Sequence, residues 1–148
     1  MSGENSGAIV IIYRRTDSDF EFLLPTRKGG IVNFVGGSKQ EWDRTYEATI
    51  RRKIAQDTSL EGSDYSIRQT DISHKFPYED GSQPDKVSTS WQNKVFIAEV
   101  NSDMEISPSS ELESLDWYSE EEATARLSFK DMKPVFQEAV EMIKRKHE

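Results

Sequence analysis

The sequence predicts a mixed α/β domain of sandwich type. Continuous β-branched runs stand at residues 8–13 and 94–100, the mark of buried strands. Two later segments change to a helical period, and turn residues separate the pieces. At 148 residues and 17.0 kDa there is room for one core rather than two.

The elements follow in order. Residues 8–13 and 20–24 read as two strands joined by the polar turn Thr16-Asp-Ser-Asp19, a hairpin. Gly29-Gly30 breaks the chain, and residues 31–35 form a short strand ending at Gly36-Gly37. Tyr46, Ile50 and Ile54 recur every four residues, which predicts a helix over about residues 45–58. Residues 65–78 are strand-like with polar interruptions, and residues 79–90 read as a long loop rich in Gly, Pro, Asp and Ser. Residues 94–100 and 115–118 complete the strands. Ser119 followed by Glu122 is a capping-box pattern that opens a short helix. A last helix over about residues 131–146 carries the stripe Met132, Val135, Phe136, Ala139, Val140 and Ile143.

Composition narrows the function. The chain has no cysteine, which excludes disulfide frameworks, cysteine–zinc sites, iron–sulfur clusters and thiol catalysis. The apolar run at residues 8–13 falls far short of the roughly 20 residues that span a bilayer. Residues 1–7 are polar, expected to be a flexible tail without a leader, and residues 8–148 a single domain. A soluble, cytoplasmic protein is expected. The net charge is −8, most of it in the later half, which disfavours duplex nucleic acid as a partner. The near-neutral first half holds Arg14, Arg15, Arg27, Lys28, Lys39, Arg44, Arg51, Arg52 and Lys53. These cations are either solvated surface residues or contacts for a small phosphate ligand. The basic end Lys144-Arg-Lys-His147 suits a helix dipole rather than a membrane.

The stretch Gly36-Gly-Ser-Lys-Gln-Glu-Trp-Asp-Arg-Thr-Tyr-Glu-Ala-Thr-Ile-Arg-Arg-Lys-Ile-Ala-Gln-Asp-Thr-Ser-Leu60 resembles the Nudix hydrolase signature, G-x5-E-x7-R-E-U-x-E-E-x-G-U with U bulky and apolar. Other segments resemble the diadenosine tetraphosphate hydrolase branch of that family. They are Ser6 to Arg15, Phe96-Ile-Ala-Glu-Val100, Glu111 with Leu115-Asp-Trp117, Ser119 to Ala123, and Phe129-Lys-Asp-Met-Lys133. The resemblance spans about residues 6–143 and implies an α/β/α sandwich with a mixed sheet.

Register decides how the signature falls on this chain. Read without a gap from Gly37, Asp43 takes the place of the first signature Glu; read back from residues 54–60, everything moves by one. One extra residue turns a helical face by about 100°, so both registers cannot hold. Only the second puts Tyr46, Ile50 and Ile54 on the resembled family's core positions, so the extra residue belongs in the loop between Gly37 and Thr45. Arg52 then matches the signature Arg, Lys53 and Gln56 stand where it has Glu, Asp57 keeps the last acid, and Ser59 replaces the Gly.

The resemblance implies a magnesium or manganese ion held between carboxylates and phosphate oxygens. Asp57, Glu111 and Glu47 are the candidate metal ligands, and Asp57, Glu111 and Arg52 the candidate catalytic residues, with Arg52 orienting acids or phosphates. Lys53 would repel a divalent ion but can pair with a phosphate itself. Lys53, Gly36, Gly37, Tyr78 and Lys86 are the ligand-binding candidates, and Trp42 and Trp91 are potential stacking platforms. Glu41, Asp43 and Glu47 also suit a bland role, favouring the dipole of the helix they precede or open. His74 reads as a satisfied strand residue, and Trp117 as core.

Three readings stay open. The first is a domain that binds a nucleoside di- or polyphosphate, with hydrolysis weak or lost. The second is a magnesium-dependent diphosphatase acting on dinucleoside polyphosphates or related nucleotides. The third is a module on the same scaffold whose partner is another protein.

Overall fold

The computed structural model describes residues 6–77, 90–101 and 104–147. Its strands are β1 (Ser6–Arg15), β2 (Phe20–Arg27), β3 (Ile31–Val32), β4 (Val35–Ser38), β5 (Tyr65–Pro77), β6 (Ser90–Val100) and β7 (Leu112–Tyr118). The α-helices are α1 (Tyr46–Thr58), α2 (Glu120–Arg126) and α3 (Met132–Lys146), and a 3₁₀ turn covers Gly62–Asp64.

Period-two alternation in β1 builds two cores at once. Ile9, Ile11 and Tyr13 face α2 and α3, where they pack with Phe22, Leu24, Phe136 and Ile143. Ala8, Val10 and Ile12 face α1, where they pack with Leu23, Ile50 and Ile54. The sheet thus lies between helices on both faces, the α/β/α sandwich that the sequence predicts. It is mixed: β1 runs antiparallel to β2 and β4 but parallel to β6. Its main order is β3-β2-β1-β6-β5, with β7 added to β2.

Two sequence expectations are corrected. β1 begins at Ser6, so Ser6 and Gly7 belong to the strand, where they pair with β4 and β6, rather than to a tail. Residues 31–35 are not one strand but the ends of two. The Asn33 side chain accepts the Phe34 N–H at 2.8 Å, removing that donor from the ladder, and the chain changes partner from β2 to β1. The predicted loop at residues 79–90 lies outside the described residues apart from Ser90, which opens β6. The three helices stand close to the expected places. Thr45 caps α1 by accepting from Ala48 N at 3.0 Å, and Ser119 caps α2 by accepting from Glu122 N at 3.2 Å.

Candidate functional site

The signature-like segment runs from β4 through a loop into α1, and three features of the backbone fix its shape. Gly36 lies where β4 crosses closest to β1; a Cβ there would sit 2.3 Å from the Ala8 carbonyl oxygen. Gly37 is covered by the stem of Lys53, whose Cδ and Cε lie 3.4 Å from where its Cβ would be. Ser59 ends α1 in the left-handed region at φ 66°, the conformation that a glycine takes without strain. That is the place at which the sequence register puts the signature Gly.

Two carboxylates on the inner side of this segment are buried, and each has an arginine. Asp43 is 4% exposed. Arg52 grips it with two bonds, Nη2 to Oδ2 at 2.8 Å and Nε to Oδ1 at 3.2 Å. The Gln40 amide and the Thr49 hydroxyl also donate to Asp43 Oδ2, at 2.9 and 3.0 Å. The Arg52 hydrogen bonds hold the Asp43 carboxyl well below the usual carboxylate range, against the opposing effect of burial. Arg52 is thus paired with Asp43. Asp57 is 1% exposed and accepts from Arg27 Nη2 at 2.9 Å. Arg27 is the last residue of β2 and lies opposite Leu112 in β7.

The other candidates stand apart from these pairs. Glu47 is exposed and accepts from Arg51 Nε at 2.8 Å, and the Arg51 guanidinium lies over Tyr65 at 5.4 Å. Glu111 is exposed in the chain just before β7, one residue from the partner of Arg27. Lys53 Nζ donates to Gln56 Oε1 at 3.2 Å and makes no ion pair with a described residue. Trp42 is 72% exposed on the loop before α1. Trp117 is half-buried under the Arg14 guanidinium, 4.2 Å from its ring. Tyr78 and Lys86 lie outside the described residues, as does the Trp91 side chain. His74 is buried on β5, with Nε2 2.8 Å from Asp131 Oδ2 and Nδ1 3.0 Å from Asn93 Nδ2.

Sequence reasoning missed Arg27 as the partner of Asp57 and Asp43 as the partner of Arg52. One signal was present. Asp57 falls three residues after Ile54 and seven after Ile50, on the apolar face of α1, and a buried acid there requires a cation.

Among the described residues no three His, Asp or Glu side chains gather as a metal site would require. Two arginines are instead each matched by a buried aspartate, and Lys53, against Gly37, makes no ion pair with a described residue.

A NUDIX domain profile matches residues 4–139. The chain belongs to the Nudix family. No curated protein matches it. Among solved structures, a Caenorhabditis elegans Ap4A hydrolase binary complex is similar at TM-score 0.77 and 16% identity, over 94% of this chain and 97% of that one. A NUDIX hydrolase described as putative, from Listeria monocytogenes, is similar at TM-score 0.78 and 20% identity, over 95% and 94%. The NUDIX domain of Shewanella oneidensis NrtR, crystallised with ADP ribose, is similar at TM-score 0.75 and 16% identity, over 97% and 90%. At these identities the likeness establishes a shared Nudix fold.

Proposed function

We propose that this Nudix domain binds the phosphates of a nucleoside di- or polyphosphate directly, with hydrolysis weak or lost. The observation that carries the reading is Lys53, standing where the signature has a Glu and lying across Gly37 with no described acid paired to it. An ammonium in that place offsets phosphate charge without a metal.

Among the described residues no three acids gather to hold a divalent magnesium or manganese ion. Asp57 is buried and already neutralised by Arg27, Glu47 is turned to Arg51, and Gln56 is uncharged. Losing a metal-activated base and its neighbours costs at least the roughly 10²–10⁴-fold usual for general-base work. Two of the similar structures, an Ap4A hydrolase and the NrtR domain crystallised with ADP ribose, point to the ligand class.

One observation favours the second reading, a working diphosphatase. Arg27, which holds Asp57, pairs with Leu112, so Glu111 is one residue from that arginine's strand partner. Thermal unfolding with a panel of nucleotides and dinucleoside polyphosphates, with and without magnesium, separates the readings when breakdown is followed in the same wells. Stabilisation without turnover is expected; a ligand at 100 times its Kd adds about 2.7 kcal/mol. Magnesium-dependent turnover that Asp57→Ala or Glu111→Ala abolishes would establish the diphosphatase. No shift with any ligand would leave the protein-binding module.

A further inference from the structure

We infer that the chain carries a second anion site, a pocket at the far end of β1 that takes a small phosphate-type oxyanion. Strand register builds it. Tyr13 pairs with Glu99 and Glu99 with Ser66; two residues earlier on β6, Ile97 pairs with Arg68. These residues therefore share one face of three adjacent strands. It is the face that carries α3, and α3 ends there with Lys146 on the rim. The resulting cavity is about 120 Å³, lined by Tyr13, Ser66, Arg68, Ile97, Glu99 and Lys146 among others. That is well below the roughly 300 Å³ at which sites for drug-sized ligands begin, so a small ion fits and a nucleoside does not.

The charges select the sign of that ion. Glu99 is the only acid in the lining. Arg15 Nε already binds it at 3.2 Å, and Lys146 Nζ lies 3.9 Å from its other oxygen. Arg68 makes no ion pair with a described residue. Arg68 and Lys146 in the lining, with Arg15 bound to Glu99 from outside it, set three permanent cations against one carboxylate. Burial pushes His147 down, toward its neutral form, so it adds little positive charge. Burial, ahead of the Glu99 charge, pushes the Tyr13 phenol up, so it keeps its proton and donates it to Glu99 Oε1 at 3.5 Å; its oxygen also lies 3.1 Å from His147 Nε2. The Ser66 hydroxyl is the lining's donor toward an anion. The last turn of α3 opposes an anion through its dipole; Lys144 and Arg145 there are paired with Glu120 and Glu141, so the Lys146 ammonium is what offsets that partial charge at the pocket. The pocket is independent of Lys53. Gly37 pairs with Ala8, about 16 Å back along β1, and α1 lies on the other face of the sheet.

The test is an amide-resolved NMR titration of the full ¹⁵N-labelled chain at low salt, with inorganic phosphate and with a simple alkyl phosphomonoester. Saturable shifts at Ser66, Arg68, Glu99 and Lys146 are expected. A response to both ligands marks a site for the phosphoryl group; a response to phosphate alone marks one for the free ion. Arg68→Ala combined with Lys146→Ala should weaken the apparent Kd about tenfold or more, and Arg68→Lys should keep part of it. Both positions are exposed, so unchanged spectra elsewhere certify the fold. The inference is overturned if shifts gather only around Gly37 and Lys53, if chloride at equal ionic strength reproduces them, or if the double variant binds as the parent does.

Discussion

Asp43, on the loop before α1, and Asp57, on the apolar side of α1, are buried carboxylates, and each is held by an arginine. Removing one partner leaves the other charged group poorly solvated, which is the costly way to break such a pair. Asp43→Ala should lower stability by about 2 kcal/mol, at the low end for a buried pair because Arg52 keeps access to water; urea unfolding measures it. Acid supplies an independent check. The Asp43 pKa is depressed on folding, so its contribution is complete above the unfolded value of about 4 and fades as pH falls towards the folded one. The stability gap between the parent and Asp43→Ala should therefore narrow only below about pH 4. Lys53 has no such structural duty. Lys53→Ala should leave the unfolding midpoint within about 0.5 kcal/mol of the parent, yet weaken nucleotide binding in the presence of a chelator about tenfold. Equal binding by the two proteins would remove Lys53 from the site.

At the scale of elements, the candidate site exists because β4 is short and carries two glycines. Gly36 lets β4 approach β1 closely enough to pair, and that pairing aims the following loop and α1 across the strand ends. A methyl group at residue 36 would meet backbone on the neighbouring strand, which cannot swing aside as a side chain can. Gly36→Ala should cost about 2–3 kcal/mol, and hydrogen exchange should show the amides of residues 35–38 losing protection first. Most elements were legible in the sequence. The four-residue recurrence of Tyr46, Ile50 and Ile54 marks α1, and the Met132-to-Ile143 stripe marks α3. Asn33 was the missed cue in the third strand, since a short polar side chain that bonds the next amide interrupts a ladder.

At the scale of the whole molecule, two cores on opposite faces of one sheet hold the site's elements together. Phe136 of α3 is fully buried and meets Phe22 edge-on at 4.9 Å and Phe34 at 5.7 Å. Phe136→Ala should cost about 3–5 kcal/mol, with the denaturant midpoint falling and the slope unchanged. Because α1 packs on the other face, a variant that stays folded should keep its nucleotide affinity, measured well below its unfolding temperature. The fold and the binding site are thus separable quantities here, as they are for a scaffold shared by many functions.

Local chemistry by itself determined the fold class and the helix register. Periodicity and turn residues act within a few positions, and one chain displays them. The tertiary structure alone decided which charge meets which. Arg27 and Asp57 are thirty residues apart, and Tyr13 and Glu99 are eighty-six, so their contacts follow from strand order and register. No sequence spacing encodes that order. It emerges when a parallel β1–β6 pairing and two helix layers bring distant residues together at the sheet's ends, where desolvation makes each unmatched charge count.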